Sequence, residues 1–148
     1  MKVSLSIEIE RPIDDLQELF KSKSRARMWM QGNDANINIQ GDGTHPGDWI
    51  KMSRSVDGGQ FQATAVIVDY QWPDLVAYRT EIGGTSALVA NRFSEVAPGT
   101  TLWQLDKVYD FNGPLGFLSP LFRGRFQASD WRAMQQIKQI AENPPTLH

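Results

Sequence analysis

Asp130 is the titratable residue whose position is least expected for its type. It lies four residues after Phe126, three before Ala133 and seven before Ile137, so on a helix its carboxylate falls among apolar side chains. A charge in such a place needs a partner. Asp130 is therefore our candidate general acid or base, or a group that binds the polar part of a ligand. An ion pair with an inward-facing arginine, or a helix rotation that exposes Asp130, would also explain the position.

Polar residues on the predicted strands supply possible partners for Asp130. We expect these partners among Arg54, Arg79, Asn91 and Lys107, with Glu81 as a second acid. In an enzyme, Arg79 or Tyr78 would position a substrate carbonyl. The residues that we predict to contact a ligand are Trp29, Trp49, Arg54, Tyr78, Arg79, Asn91, Gln104, Phe126, Asp130 and Met134.

Two tryptophans have two interpretations each. Trp29 ends a short predicted helix, and Trp49 opens a strand after a glycine-rich loop. Either side chain would serve as a wall on which a ligand stacks, or as ordinary core, which is the commoner place for a large aromatic residue.

Several classes of chemistry are excluded by the residues that the sequence lacks. There is no cysteine, which removes disulfides, thiol catalysis and cysteine-based metal sites. His45 lies between Asp42 and Asp48, but the other histidine is His148 at the chain end, and a Gly-Pro loop is usually exposed. No phosphate-binding glycine loop and no dinucleotide fingerprint occurs. We predict no metal and no cofactor.

Charge and hydropathy limit the partners. The formal net charge is -2, with basic residues dispersed along the chain, which argues against a nucleic acid. No apolar run reaches the roughly 18 residues of a membrane span, and the first residues alternate instead of forming a signal peptide. We expect a cytoplasmic location and one domain over residues 1–148.

Alternating apolar and polar residues predict about seven strands. The first covers Lys2 to Glu10. Turn residues separate the other strands closely enough to imply hairpins and therefore an antiparallel sheet. These strands are Ala35 to Gln40, Trp49 to Val56, Phe61 to Tyr70, Leu75 to Glu81, Ser86 to Glu95 and Thr101 to Phe111.

Helical spacing appears in two parts of the chain. Two short helices follow the first strand, one from Pro12 to Phe20 and one between Ser24 and Gly32. A long amphipathic helix closes the chain, with an expected break or kink near Pro120 and Gly124. The segment that enters this helix is rich in apolar residues and is a candidate lid, dimer patch or membrane-touching edge. The fold class is thus α+β.

This order of elements resembles the SRPBCC superfamily, which includes the START, birch-pollen-allergen-like and polyketide cyclase/dehydrase groups. Four short stretches carry the resemblance and span nearly the whole chain. They are Ile7-Glu8-Ile9 with Pro12, Asp69 to Arg79 with its Leu-Val-Ala-Tyr-Arg strand, Pro98-Gly99-Thr100, and Gly113-Pro114-Leu115-Gly116 with Pro120-Leu121. The resemblance implies a helix-grip fold, a curved antiparallel sheet around the long helix. It carries no shared catalytic set.

The register of the last strand is open. The resemblance favours Leu102 facing inward, which would place Gln104 and Asp106 in the interior. Bulk hydrophobicity favours Trp103 instead, which would leave Gln104 and Asp106 in solvent. A bulge would satisfy both patterns.

Small residues on the central strands favour an internal cavity. Ala63 and Ala65 share one face, as do Ala87, Val89 and Asn91, so an inward orientation would leave space beneath the helix unless aromatic side chains from the short helices fill it. We therefore expect a protein that binds or carries a hydrophobic small molecule such as a lipid, a quinone or a polyketide-like compound. The alternatives are a cyclase or dehydratase that uses Asp130, and a co-chaperone-like interaction module. A homodimer is also plausible.

Overall fold

The computed structural model describes residues 1–30, 35–111 and 119–143, and within them it leaves the side chains of Trp29, Met30, Val56, Ser119 and Pro120 undescribed. Seven strands form one antiparallel sheet in the order β1-β7-β6-β5-β4-β3-β2. The strands are β1 (Lys2–Ile9), β2 (Asn36–Gln40), β3 (Trp49–Val56), β4 (Gly59–Gln71), β5 (Leu75–Ile82), β6 (Thr85–Ala97) and β7 (Thr100–Phe111). The predicted strands are confirmed, and four of them extend further than expected.

The helices lie where the helical spacing predicts them. After β1 come α1 (Ile13–Leu16), a 3-10 helix (Gln17–Phe20) and α2 (Ser22–Met30), and the long helix is α3 (Ser119–Glu142). The expected break near Pro120 and Gly124 is wrong. Pro120 lies in the first turn of α3, where the missing N–H costs no intrahelical bond, and the helix runs on through Gly124. The apolar segment before α3, our candidate lid, dimer patch or membrane-touching edge, lies outside the described residues as far as Leu118.

One face of the curved sheet is buried, and it carries the small residues that the alternation grouped together. Ala63, Ala65, Ala87 and Val89 are all at most 3% exposed. The register of β7 follows bulk hydrophobicity: Trp103 is buried, whereas Gln104 is exposed on the opposite face. The register shifts of the sheet lie in the β4–β5 and β6–β7 pairings, near residues 67–69 and 95–97, so no bulge brings Gln104 inward.

An aromatic cluster fills one end of the interior. Phe20, from the 3-10 helix, packs edge-on against Phe93 and Trp103, with ring centroids 4.8 and 5.2 Å away. Trp72 covers Phe93 at 4.7 Å. An aromatic residue of the short helices therefore fills part of the volume, as one of our two interpretations requires.

A close approach between a loop and a helix positions α2. The backbone N–H of Ser22 donates to the carbonyl of Asp42 at 2.9 Å. Gly43 adopts a left-handed conformation, and a Cβ there would lie 2.8 Å from the Ser22 hydroxyl, so only glycine fits. This contact sets the start of the helix that carries Arg25.

Candidate functional site

A cavity of about 600 Å³ lies between the buried face of β5–β7, the 3-10 helix and α2, and the second half of α3. Its volume is within the range of ligand pockets in proteins. Gln136, Gln139 and Asn143 line it and are exposed, so it opens to solvent along this side of α3. The apolar part of its wall is formed by Leu19, Val89, Trp103, Leu105, Met134 and Ile137.

One row of paired residues forms the floor of the cavity. Tyr78 of β5 lies opposite Val89 of β6, and Val89 lies opposite Lys107 of β7. Neighbouring strands are about 4.8 Å apart, so the backbones of Tyr78 and Lys107 are separated by roughly 10 Å. The floor therefore has an apolar centre and a polar side chain at each side.

Asp130 faces this cavity from α3, and both of its carboxylate oxygens accept a hydrogen bond. The Lys107 ammonium donates to one oxygen at 3.0 Å, and the Tyr109 hydroxyl donates to the other at 2.6 Å. Asp130 is 8% exposed. The interpretation of Asp130 as a member of a buried ion pair is thus correct, and its partner is Lys107, one of the four expected partners, instead of an arginine.

Tyr109 is held in its neutral form. Burial raises the pKa of its hydroxyl above the ordinary value of 10.0, and the hydrogen bond to the Asp130 carboxylate raises this pKa further. Because the neutral hydroxyl donates to a carboxylate, the pair keeps a single negative charge beside the ammonium of Lys107.

The raised pKa predicts a loss of stability at high pH. In the unfolded chain Tyr109 ionises near pH 10, whereas in the folded protein it keeps its proton, so the free energy of unfolding falls as pH rises above about 10. Tyr109→Phe removes this dependence. We expect the stability difference between wild type and Tyr109→Phe, measured by urea unfolding, to shrink between about pH 8 and pH 11. A difference that stays constant over this range would contradict the assignment.

Arg25 was missed by the sequence interpretation. Its guanidinium carbon lies 3.9 Å from the centroid of the Tyr78 ring, and both residues line the cavity. Thr80, two residues after Tyr78 on the same face of β5, lines it as well and is 6% exposed. The only signal in the sequence was the alternation of Lys23, Arg25 and Arg27 on a short helix, which does not say which of them faces the sheet.

Three of the predicted ligand-binding residues line the cavity, namely Tyr78, Asp130 and Met134. Phe126 lies one turn before Asp130 but packs on Tyr109 and Phe111, with ring centroids 4.8 and 5.2 Å away. The side chain of Trp29 lies outside the described residues.

Two further predicted residues face the interior without lining the cavity. Asn91 is fully buried; its amide donates to the Val76 carbonyl at 3.0 Å, and its oxygen accepts from the Trp103 indole at 2.9 Å. Its polar atoms are therefore bound within the core. Arg54 shares a face of β3 with the buried Ile50 and lies over the Phe61 ring at 4.9 Å.

The remaining three predicted residues lie on the outer face of the sheet. Trp49 is half-buried there beneath Lys51, whose ammonium is 4.6 Å from the ring centroid. Arg79 and Gln104 are exposed, as is Glu81. Their predicted placement in the cavity is wrong because side chains alternate along a strand, and the inward positions belong to Tyr78, Thr80, Trp103 and Leu105.

The structure brings Asp42, His45 and Asp48 together in the loop before β3, with one ligand atom of each within 4.8 Å of the others. The carboxylate of Asp48 accepts the backbone N–H groups of Gly43 and His45 at 3.1 and 3.2 Å. Asp42 accepts the N–H of Thr44 at 3.0 Å. These carboxylates shape the loop, and the His45 side chain is 76% exposed.

Sheet, short helices and terminal helix together form a helix-grip fold, as the resemblance implied. Solved structures of other proteins have the same fold. A protein of Thermus thermophilus matches with a TM-score of 0.69 and 11% identity, over 95% of this chain and 97% of its own. Ara h 8.0201 matches with a TM-score of 0.66 and 15% identity, over 96% and 95%. A major latex-like protein of Panax ginseng matches with a TM-score of 0.55 and 16% identity, over 82% and 90%.

Ara h 8.0201 and the ginseng protein are members of the superfamily that the sequence motifs resemble. At these identities the likeness is one of fold. No family model and no curated protein matches the sequence. Within the described part of the chain, no helix has the length and apolar character needed to cross a membrane.

Proposed function

We propose that this protein binds or carries a hydrophobic small molecule in the cavity beneath α3, and that the whole chain serves as one ligand-binding domain. The proposal rests on the cavity, the part of the interior that the aromatic side chains leave unfilled. The Phe20 cluster fills one end of the interior, yet about 600 Å³ stays open beside Val89, Leu105 and Met134. Protein interiors otherwise pack to crystal-like density, so a volume of this size with apolar walls favours a ligand site.

Native mass spectrometry of protein freshly purified from its host tests the proposal directly. We expect a fraction of the protein to carry an apolar adduct, and the purified protein to enhance the fluorescence of N-phenylnaphthylamine, a neutral apolar dye. A homogeneous ligand-free mass, together with no response to the dye or to a panel of apolar compounds, would count against the proposal.

A bulky residue at the cavity wall should block binding. Ala133 and Ala128 are both exposed on the same helix, but only Ala133 lines the cavity. We expect Ala133→Trp to weaken dye binding by at least about tenfold, since the indole would occupy space that the ligand needs. Ala128→Trp is the matched control and should bind as the wild type does. Equal affinities for the two variants would place the dye elsewhere.

A second candidate function is favoured by one observation, the Asp130 carboxylate at the cavity wall. Hydrogen-bonded to Lys107 and Tyr109, it is a group that can exchange a proton with a bound substrate, as a cyclase or dehydratase requires. Compounds extracted from the host and incubated with the protein would reveal turnover. If Asp130→Asn still converts a compound, the result would contradict this second function, in which Asp130 exchanges the proton.

A further inference from the structure

Three residues that line the cavity carry hydrogen-bond donors, and we call them the donor cluster: Arg25, Tyr78 and Thr80. Tyr78 and Thr80 point from β5 into the cavity two residues apart, and the Arg25 guanidinium carbon lies 3.9 Å from the centroid of the Tyr78 ring. Arg25 comes from α2, so the cluster bridges the helical and the sheet walls of the cavity.

The donors of this cluster have no protein acceptor within the residues that the structure describes. Neither the two hydroxyls nor the guanidinium donates a side-chain hydrogen bond there, and no carboxylate lies within ion-pair distance of Arg25. Lys107, across the floor of the cavity, is by contrast paired with the Asp130 carboxylate at 3.0 Å. The donor atoms of the cluster therefore face the open cavity, where an acceptor on a ligand can take the place of water.

The net charge of the residues that line the cavity also favours a ligand with an anionic acceptor. Among the described lining residues, Arg25 and Lys107 are cationic and Asp130 is anionic, which leaves one positive charge in excess. A neutral ligand would leave the charge of Arg25 without a counter-charge, and one without oxygen atoms would also displace water from Arg25 without replacing its hydrogen bonds. A carboxylate would replace them, because its two oxygens match the planar fork of a guanidinium.

We infer that the ligand is an amphipathic carboxylic acid, whose carboxylate binds the donor cluster while its apolar body lies along Val89, Leu105 and Met134. The inference rests on the proposed function, since it names the class of molecule that the same cavity takes. Arg25 supplies the charge, and the hydroxyls of Tyr78 and Thr80 supply two further hydrogen bonds.

Matched ligands of one chain length test this. Dodecanoate, methyl dodecanoate and dodecanol are each titrated against protein saturated with N-phenylnaphthylamine, at concentrations below micelle formation. We expect dodecanoate to bind about tenfold more tightly than the ester and the alcohol, since hydrogen bonds to charged groups contribute about that factor. In Arg25→Gln the acid should fall to the level of the ester, while the ester and the dye bind as before.

Arg27→Gln is the control, because Arg27 lies two residues further on the same helix, is exposed and does not line the cavity. It should keep the preference for the acid. Equal binding of acid and ester by the wild type, or a preference that survives in Arg25→Gln, overturns the inference and leaves the proposed function standing. Failure of the dye and of all three ligands to bind overturns both.

A second variant keeps the test decisive if Arg25→Gln does not fold. Tyr78→Phe retains the ring beneath the guanidinium and removes only the hydroxyl, so folding should be preserved. We expect it to reduce the preference for the acid by a factor of about three to ten, as for one lost hydrogen bond, with the ester unaffected. An unchanged preference in a folded Tyr78→Phe protein contradicts a carboxylate at this cluster.

Discussion

Asp130→Ala is expected to lower the free energy of unfolding by about 3 kcal/mol, because it leaves a nearly buried ammonium without its counter-charge. The Lys107 side chain is 17% exposed and that of Asp130 is 10% exposed, so water compensates little for the lost partner. The Tyr109 hydroxyl loses its acceptor in the same change. Urea unfolding followed by tryptophan fluorescence provides the measurement.

Asp106→Ala is the matched control for this prediction. Asp106 also forms an ion pair, with Arg92 at 3.2 Å, and it also accepts a hydroxyl, from Ser4 at 2.6 Å. Its side chain is 36% exposed and that of Arg92 is 50% exposed. Exposed pairs contribute under about 1 kcal/mol, so this variant should be nearly as stable as the wild type.

The double variant Lys107→Met with Asp130→Leu separates a lost charge partner from lost packing. Replacing both members of a buried pair by apolar residues is often neutral, so the double variant should recover most of the stability lost in Asp130→Ala. Equal costs for Asp106→Ala and Asp130→Ala would contradict the burial that we assign to this pair.

Trp103→Ala is expected to cost about 3–5 kcal/mol of stability, the range for deleting a large buried aromatic side chain. Trp103 is 2% exposed, packs against Phe20 and Phe93, and holds the oxygen of Asn91. Because Trp103 also lines the cavity, its loss should enlarge the space for a ligand. Longer apolar chains should therefore gain affinity relative to shorter ones.

Trp49→Ala tests whether the stability lost in Trp103→Ala reflects the buried position of Trp103 or the loss of any tryptophan side chain. Trp49 lies half-buried on the outer face of the sheet, against Lys51. Its removal should cost about 1 kcal/mol, the centre of the range for ordinary substitutions, and should leave ligand binding unchanged. If Trp49→Ala proved as costly as Trp103→Ala, the assignment of inner and outer faces would be wrong.

The buried face of the sheet could be predicted because alternation is a local property. Spacing alone placed Ala63 with Ala65 on one face and Ala87 with Val89 on another, and the structure shows that these are the buried faces. For β7, alternation alone did not determine which face is buried. Both of its faces carry large apolar residues, so the alternation did not decide between Leu102 and Trp103, and the packing of Trp103 on Phe20 is a contact between distant parts of the chain.

The candidate site was predictable only in part, for a similar reason. Helical spacing placed Asp130 on the inner side of α3, but its partner depends on which strand lies beneath the helix. Asn91 was expected to meet a ligand, yet its polar atoms bind Val76 and Trp103. Arg25 was not predicted as a site residue. Because α2 is short and mostly polar, no apolar stripe marks the side of the helix that faces the cavity.

The pairing of β1 with β7 has a consequence for the order in which the fold can form. Lys2 lies opposite Val108, and Ile9 lies opposite Thr101, so β1 completes its pairing only once β7 has formed. Until then, Val3 and Ile9 have no strand to pack beside, and closing so long a loop slows folding. α3, which covers the cavity, follows later still. The cavity that we propose as a ligand site is therefore among the last parts of the fold to form, so a ligand would bind only after these long-range contacts are made.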